Sequence, residues 1–288
     1  MSNNLFVFSP QQWAVMQALN TYRYLTVEQM LQLGISKNAK SIRDKTLFAL
    51  RHRKYIQSTK IGSFMPDIHS LTKLGADELA GREKICLSQQ TSTKRQSFSA
   101  MFAQHRFSQV DFHIGFREWI EERSDADILL ELQDFQGRTS SSDGKLQSST
   151  ALNVPGLSRS VIPDGTFVVE LTSGQQAIYL TEIHRSTQTK AVTEQLLRYL
   201  HVIRSGAVQA KYGFKAHPMI CSVHMQDSVL IGVKKRLMQH PDFEPFKRNF
   251  VFRKMEGLTS DFQRGWHLAD DTPAVPFPLP NPMSHASV

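Results

Sequence analysis

The segment Val161–Tyr199 constrains the fold of this chain more than any other stretch. Two short apolar blocks, Val161–Leu171 and Ala177–Ile183, flank a Thr-Ser-Gly turn, which is the pattern of a β-hairpin. After Thr189 the apolar residues recur with a helical period, which predicts an amphipathic helix directly behind the hairpin. This order predicts a sheet with helices packed on its faces.

Two acidic residues mark the ends of the predicted hairpin. Asp164 follows Pro163 near the start of the first strand, and Glu182 lies at the end of the second. Because antiparallel strands return to the same edge, we expect the two carboxylates to lie at one end of the sheet. Mg²⁺ and Mn²⁺ prefer such oxygen ligands and promote chemistry on phosphates. The alternative is that Asp164 is a turn residue at the strand entry and Glu182 a solvated strand end.

Length and composition indicate a globular chain with a basic surface. The 288 residues are enough for about two domains, and 40% hydrophobic with 21% charged residues is an ordinary balance. Without a long apolar run, or a basic N-terminal region followed by an apolar block, we expect neither a membrane span nor a signal peptide. The net charge of +8 favours an anionic polymer as partner.

The short-motif pattern removes several classes of enzyme. Cys86 and Cys221 are the only cysteines, which indicates a reducing, cytoplasmic setting without a disulfide framework. The sequence has no CxxC or HExxH zinc pattern, no HxH pair, and no GxxxxGK[ST] or GxGxxG nucleotide-binding loop. A G-x-S-x-G nucleophile elbow is also absent.

The N-terminal region predicts a series of short, capped helices. A capping box at Ser9, with Pro10 at the first helical position, opens a helix that ends at about Tyr22. A second capping box at Thr26 opens a short helix that Gly34 stops.

A third helix carries the positive charge of this region. We expect it to run from Ser36, as its N-cap, to about Arg53, with Leu47 on the same face as the basic residues. Two short strands, Tyr55–Lys60 and Ile68–Leu71, and a fourth helix follow, which is the order of a winged helix-turn-helix. The third helix of that fold enters the major groove, so we predict contact with DNA or RNA, the alternative being a solvated charged face. The predicted DNA-binding residues are Lys37, Lys40, Arg43, Lys45, Arg51 and Lys54.

These patterns divide the chain into a winged-helix domain, a linker, a second domain and a tail. The expected boundaries are 9–85, 86–99, 100–256 and 268–288. The second domain reads helix, strand, hairpin, helix, strand, helix, strand, which is an α/β (α+β) arrangement. Within it, residues 136–160 are Ser- and Gly-rich and predict a long, mobile loop. The tail is rich in proline, and we expect it to be extended, disordered and available to a partner.

Three parts of the sequence together resemble the replication-relaxation family of mobile-element proteins, which includes the MobC-type plasmid mobilisation relaxases. They read YIQSTK…HSLTKLGADEL, HRFSQVDFHIGFREW from His105, and IPDGTFVVE…YLTEIHR…LLRYL. The resemblance implies an N-terminal winged helix joined to a restriction-endonuclease-like α/β domain of the PD-(D/E)XK type. It also implies action on DNA at an origin of transfer or replication.

The resemblance implies roles for several residues of the second domain. Pro163-Asp164 matches the PD element, and Glu182-Ile183-His184 matches (D/E)XK with histidine in place of the lysine that would activate water. Related nucleases often add an acid from the first helix, for which Glu118 is our first candidate and Asp111 the second. Gln195 and Tyr199 lie one turn apart on the following helix. Tyr199 is either a nucleophile or, as we favour, a buried or substrate-stacking side chain. The candidate catalytic residues are Asp164, Glu182, His184, Glu118, Gln195 and Tyr199, with Mg²⁺ or Mn²⁺ on Asp164 and Glu182.

Two functions of different classes follow. The first is a metal-dependent relaxase or nicking endonuclease that recognises a duplex site through its winged helix. The second is a non-catalytic replication or transcription regulator whose degenerate nuclease-like domain serves as a dimerisation or docking surface. Both take DNA as partner and neither involves a membrane. Other mobilisation or replication proteins are expected on the proline-rich tail, and the formation of a homodimer stays open.

Overall fold

The structure is a computed structural model that describes residues 7–83, 100–135, 148–270 and 277, and the backbone of residues 139–140 and 146–147. It divides into two compact units, Met1–Ile114 and Gly115–Val288. The division falls inside a helix, whereas we expected a linker at 86–99, and that segment lies outside the described residues. No helix in the described part of the chain is long and apolar enough to cross a membrane.

The first unit contains short helices and a two-stranded ribbon. Both predicted capping boxes are present, and Gly34 adopts the left-handed conformation expected after the second helix. A third helix, formed by α3, a π-helical segment and α4, precedes the ribbon. The elements are α1 (Pro10–Tyr22), α2 (Val27–Gln32), α3 (Ala39–Ser41), the π-helical segment Ile42–Leu47, α4 (Phe48–His52), β1 (Ile56–Thr59), β2 (Ile68–Leu71) and α5 (Lys73–Glu83).

The third helix differs from the prediction at two points. Asn38, and not Ser36, is its N-cap, because the Asn38 side chain accepts a hydrogen bond from the backbone of Ser41 at 3.1 Å. The π-helical segment has i→i+5 hydrogen bonds and therefore holds about one more residue per turn than an α-helix. This extra residue turns Leu47 into the core, where it is buried, so its predicted place on the basic face is wrong.

The ribbon and α5 pack closely against the end of the third helix. The strands β1 and β2 are antiparallel, and Leu25 adds a bridge to His69 at the outer side of β2. Thr72 caps α5 by accepting a hydrogen bond from the backbone of Gly75 at 3.1 Å. A Cβ atom on Gly75 would lie 2.0 Å from the carbonyl oxygen of Tyr55, so only glycine allows this approach.

The second unit is a mixed α/β structure built on a five-stranded sheet of order β3-β6-β7-β8-β9. The strands β3, β6 and β7 are antiparallel neighbours, whereas β7, β8 and β9 are parallel. The elements are α6 (Ala100–Glu121, which begins in the first unit), β3 (Ala126–Gln133), β4 (Thr139–Ser140), β5 (Leu146–Gln147), β6 (Gly165–Leu171), β7 (Gln176–His184), α7 (Thr189–Ser205), α8 (Ala207–Tyr212), β8 (Pro218–His224), α9 (Asp227–Met238), a 3₁₀ helix (Glu244–Asn249) and β9 (Phe250–Lys254).

Each face of this sheet is covered by different side chains, because successive strand residues point to opposite sides. One face, which includes Ile178 and Leu180, packs on the apolar stripes of α7 and α9. The other face, which includes Phe167 and Tyr179, packs on an aromatic cluster with Phe116 of α6. The residues that complete this cluster are Trp119, Phe262, Trp266 and Phe277.

Two segments expected to be irregular are packed where the structure describes them. Residues 148–160 are anchored to the core, since Leu152 is fully buried and bridges Val161. Of the rest of the expected loop, residues 136–138 and 141–145 lie outside the described residues. At the C-terminal side the core continues past the expected end at residue 256, and the buried Phe277 belongs to it. The rest of the expected tail, residues 271–276 and 278–288, lies outside the described residues.

Candidate functional site

Asp164 and Glu182 lie side by side at one end of the β6–β7 hairpin. Gly165 pairs with Thr181, so Asp164 and Glu182 occupy the next position along the same antiparallel ladder. The backbone N–H of Asp164 donates to the carbonyl of Thr181 at 2.9 Å, and Oδ2 of Asp164 accepts from the backbone N–H of Ile183 at 2.7 Å. The hairpin therefore brings the two acids together, as its sequence pattern predicts.

The carboxyl group of Glu182 is buried beneath α7 and bonded at both oxygens. Its Oε1 accepts a hydrogen bond from the hydroxyl of Tyr199, and its Oε2 accepts one from Nε2 of Gln195 at 2.6 Å. Glu182 is only 3% exposed and Tyr199 is fully buried. Of the predicted site residues, Asp164, Glu182, Gln195 and Tyr199 thus form one connected group.

Burial changes the protonation of this group. Loss of solvent and then the neighbouring charge of Asp164 raise the pKa of Glu182 well above its usual range, and Asp134 adds to the rise. Burial and the charge of Glu182 raise the pKa of Tyr199 as well. Tyr199 therefore remains a protonated phenol that donates to Glu182, which favours the buried role over the nucleophile.

Asp134 is a third acid at this edge, and it was not predicted from the sequence. Gln133 of β3 pairs with Gly165, so Asp134 is the next residue along that ladder, opposite Asp164. The backbone N–H of Asp134 donates to the carbonyl of Asp164 at 3.2 Å. The signal was an acid at the end of a predicted strand, but the pairing of β3 with β6 was needed to use it.

His184, at the position of the nuclease lysine, packs against a second histidine. His224 lies opposite it in the parallel β7–β8 register, and the two ring centroids are 4.9 Å apart. Ser222 Oγ and His224 Nε2 are 2.8 Å apart. Burial and the nearby His184 lower the pKa of His224 to about 3, so His224 is neutral near pH 7. Neither His224 nor Ser222 was singled out from the sequence.

The structure does not bring Glu118 to this group. Its helix presents the neighbouring Phe116 and Trp119 to the aromatic face of the sheet, whereas Gln195 and Tyr199 reach the opposite face from α7. Partial burial and the charges of nearby acids on the same helix turn raise the pKa of Glu118. The second candidate, Asp111, lies in the first unit, where its Oδ1 accepts a hydrogen bond from Gln29 at 2.8 Å.

The residues predicted to bind DNA lie on the surface of the first unit. All six, Lys37, Lys40, Arg43, Lys45, Arg51 and Lys54, are exposed. Between them the third helix buries Ile42, Thr46, Leu47 and Leu50. One of the six has an acidic partner, since Arg43 lies 3.3 Å from Glu28 of α2. The helix thus separates an apolar packing face from a cationic face.

Comparison with known proteins adds no family to this description. Neither the models of known protein families, nor the functionally characterised proteins, nor the solved structures include a match to the chain. Within the described ranges, no group of three or more His, Cys, Asp or Glu side chains is arranged to hold a metal ion. The resemblance to the replication-relaxation family stays a prediction from the sequence.

Proposed function

We propose that this chain is a DNA-binding protein of a mobile element, and that its first unit is a winged helix-turn-helix. The observation that carries the proposal is the cationic face of the third helix, which directly precedes the β1–β2 ribbon. In the winged-helix arrangement this helix enters the major groove and the ribbon lies near the backbone. DNA is the partner that matches this positive charge. We place its binding in the cytoplasm.

The six cations of the third helix are exposed to solvent and can reach phosphates directly. Lys and Arg side chains that neutralise phosphates release counterions, so affinity for DNA falls steeply as salt concentration rises. The six cations can make such contacts without disturbing the core, because the packing of the helix depends on its buried face. The exposed pair between Arg43 and Glu28 is of the kind that contributes little to stability.

The test is the salt dependence of binding by the full chain to duplex DNA, measured by fluorescence anisotropy. Lys40→Ala and Arg51→Ala should each weaken binding and reduce the slope of log K against log salt by about one. Lys235→Ala, which removes an exposed cation of the second unit, is the matched control. Equal losses in all three variants would contradict binding through the third helix.

The second candidate function is metal-dependent nicking of DNA at an origin of transfer or replication. Its support is the placement of Asp134, Asp164 and Glu182 next to one another across β3, β6 and β7. The unit would then be a PD-(D/E)XK-like domain. The donor chemistry fits Mg²⁺ or Mn²⁺, since such ions are often held by one or two carboxylates and keep several waters. Asp164 and Glu182 would hold the ion.

The chain's own residues would prepare this site. Gln195 and Tyr199 fix the orientation of Glu182 through its two oxygens. Glu182 must lose its proton before it can act as a ligand, and a bound cation lowers the pKa of its ligands. A bound Mg²⁺ or Mn²⁺ would supply electrostatic stabilisation of the phosphodiester and a more acidic water. At the position where the (D/E)XK pattern has a lysine, which is always charged near neutral pH, this chain has His184, which is charged only when it is protonated.

The test is conversion of supercoiled plasmid that carries the origin region to open circle, with Mg²⁺, Mn²⁺ or EDTA. Metal-dependent nicking that Asp164→Ala abolishes, while DNA binding persists, supports the nuclease. Glu118→Ala is the control and should nick normally, because Glu118 lies apart from the acidic group. If the wild-type protein binds the plasmid and nicks it under no condition, the non-catalytic regulator is the better description. Partners on the proline-rich tail then become the next question.

A further inference from the structure

One aromatic side chain interrupts the cationic face of the third helix. Phe48 is 58% exposed, although the preceding residue, Leu47, is buried and the following residue, Ala49, is half-buried. Arg51 and His52, three and four residues further along α4, are its neighbours on the helix surface, and Asp44 and Lys45 precede it in the π-helical segment. All four are exposed, so a large apolar ring stands among charged and polar groups.

Phe48 directly follows the π-helical segment. The segment ends at the buried Leu47, and Phe48 begins α4 on the outer face. Such segments are frequent at functional sites, because they re-aim a side chain at some cost in regular hydrogen bonding. The ring of His52, one turn later, stacks on that of Phe48 with centroids 6.2 Å apart and planes inclined by 26°. The two rings therefore lie together on the exposed face of α4.

We propose that Phe48 contacts the C5-methyl group of a thymine in the major groove, so that the third helix reads sequence as well as phosphate charge. This inference rests on the proposed binding of DNA by that helix. Major-groove thymine methyls are read by apolar contact, and phenylalanine is one of the side chains that make it. Duplex DNA is the occupant that fits both the apolar ring and the exposed cations Lys45 and Arg51, which precede and follow it along the chain.

The experiment starts from duplexes selected out of a random library by the full-length protein. In the selected duplex, each thymidine is replaced in turn by deoxyuridine, which differs only by the missing methyl group. At one or two positions the wild-type protein should bind the deoxyuridine duplex about fourfold more weakly, the worth of one buried methyl group. Phe48→Ala should bind both duplexes equally.

Phe64→Ala is the matched control, since Phe64 is a fully exposed phenylalanine in the β1–β2 loop. This variant should retain the difference between thymidine and deoxyuridine whatever its overall affinity. A wild-type protein that binds DNA with no deoxyuridine effect at any position overturns the reading of a methyl group and leaves DNA binding intact. A selection without sequence preference overturns it too. Absence of any DNA binding overturns the proposed function together with this inference.

Discussion

The two units place their candidate functional residues in opposite environments. In the first unit the six cations of the third helix are exposed, and the core of the unit is built from other side chains. In the second unit Glu182, Tyr199, His184 and His224 are all buried, and Tyr199 is itself a member of the apolar core. The cations of the first unit lie outside its packed core, whereas the buried polar groups of the second unit belong to its core.

This difference determines what a substitution reports. Exposed charges usually change stability by only a few tenths of a kcal/mol, so their replacement isolates binding. A buried, hydrogen-bonded carboxyl group couples protonation to folding, so its replacement changes stability and chemistry together. Activity measurements on the second unit therefore cannot be interpreted without a stability measurement, whereas on the first unit the stability measurement serves to check that the fold is unchanged.

The largest expected effect is loss of DNA affinity in a variant with Lys37, Lys40, Lys45 and Arg51 replaced by alanine. Four lost phosphate contacts should reduce the salt slope by between about 3 and 4, and affinity at about 0.1 M salt by roughly a thousandfold. The free energy of unfolding, measured by thermal denaturation, should change by less than about 1 kcal/mol.

The matched control replaces four exposed cations of the second unit, Lys215, Lys235, Arg236 and Arg248. This control variant has the same net charge as the quadruple variant of the first unit, and it should retain most of the wild-type affinity. Similar losses in both variants would mean that net charge, and not the third helix, determines binding. A quadruple variant of the first unit that unfolds would contradict the claim that its cations lie outside the packing.

The next effect concerns the bonds of Glu182. Tyr199→Phe removes one donor from a buried carboxyl group and should cost about 1–3 kcal/mol of unfolding free energy. Glu182→Gln tests the protonation. Because the folded-state pKa of Glu182 is raised, the unfolded chain releases this proton first, and wild-type stability is lost as pH rises above about 4.3.

Denaturant unfolding of both proteins in EDTA from pH 4 to pH 8 measures that loss. Glu182→Gln should resemble wild type near pH 4 and become relatively more stable toward pH 8. A wild-type protein whose advantage over Glu182→Gln instead grows with pH would show that Glu182 is ionised in the folded state. The buried environment inferred for it would then be wrong.

A buried neutral histidine in each unit gives a smaller effect of about 1–2 kcal/mol between pH 6.5 and pH 5. Burial lowers the pKa of His224 to about 3 and that of His69 to about 4, with a further lowering from the nearby His184 and from the charge of Arg51, respectively. The unfolded histidines take up protons near pH 6.5, so the stability of the fold is present above that pH and lost as pH falls. Here the two units should behave alike.

Thermal unfolding of His69→Gln and His224→Gln against pH measures this term. Each variant should show a shallower loss of stability below pH 6.5 than wild type, and the double variant the shallowest. If neither substitution changes the dependence of stability on pH, the loss of stability at low pH originates in other groups.

Much of the fold could be predicted from the sequence, because periodicity and capping are local. The capping boxes at Ser9 and Thr26 and the β6–β7 hairpin required only neighbouring residues. The place of Leu47 on the third helix could not be predicted, because the π-helical segment Ile42–Leu47 departs from the α-helical period. The burial of Phe277 could not be predicted either. Its proline-rich surroundings are typical of a disordered tail, and its contacts are with residues distant along the chain, such as Phe116.

The candidate site was predictable in so far as it lies within one hairpin. Asp164 and Glu182 meet because a single turn relates their strands, and the period of α7 indicated Gln195 and Tyr199. Asp134 required the pairing of β3 with β6, and His224 required the parallel register of β8 on β7, which no local pattern encodes. The assignment to Glu118 failed because family analogy placed it without information on which face of the sheet its helix covers.

The smallest expected effect is an increase in DNA affinity on replacement of Glu28 by glutamine. Glu28 lies 3.3 Å from Arg43, and both side chains are more than half exposed. Removal of the acid frees Arg43 for phosphate and removes a repulsive charge, so affinity at low salt should rise about two- to threefold. Stability should change by less than about 1 kcal/mol, because exposed pairs contribute little. Glu194→Gln, which breaks the exposed pair with Lys190 in the second unit, is the control and should leave affinity unchanged. If Glu28→Gln instead destabilises the fold markedly with no gain in affinity, the pair belongs to the packing of the first unit, and the contrast between the two units no longer holds at this position.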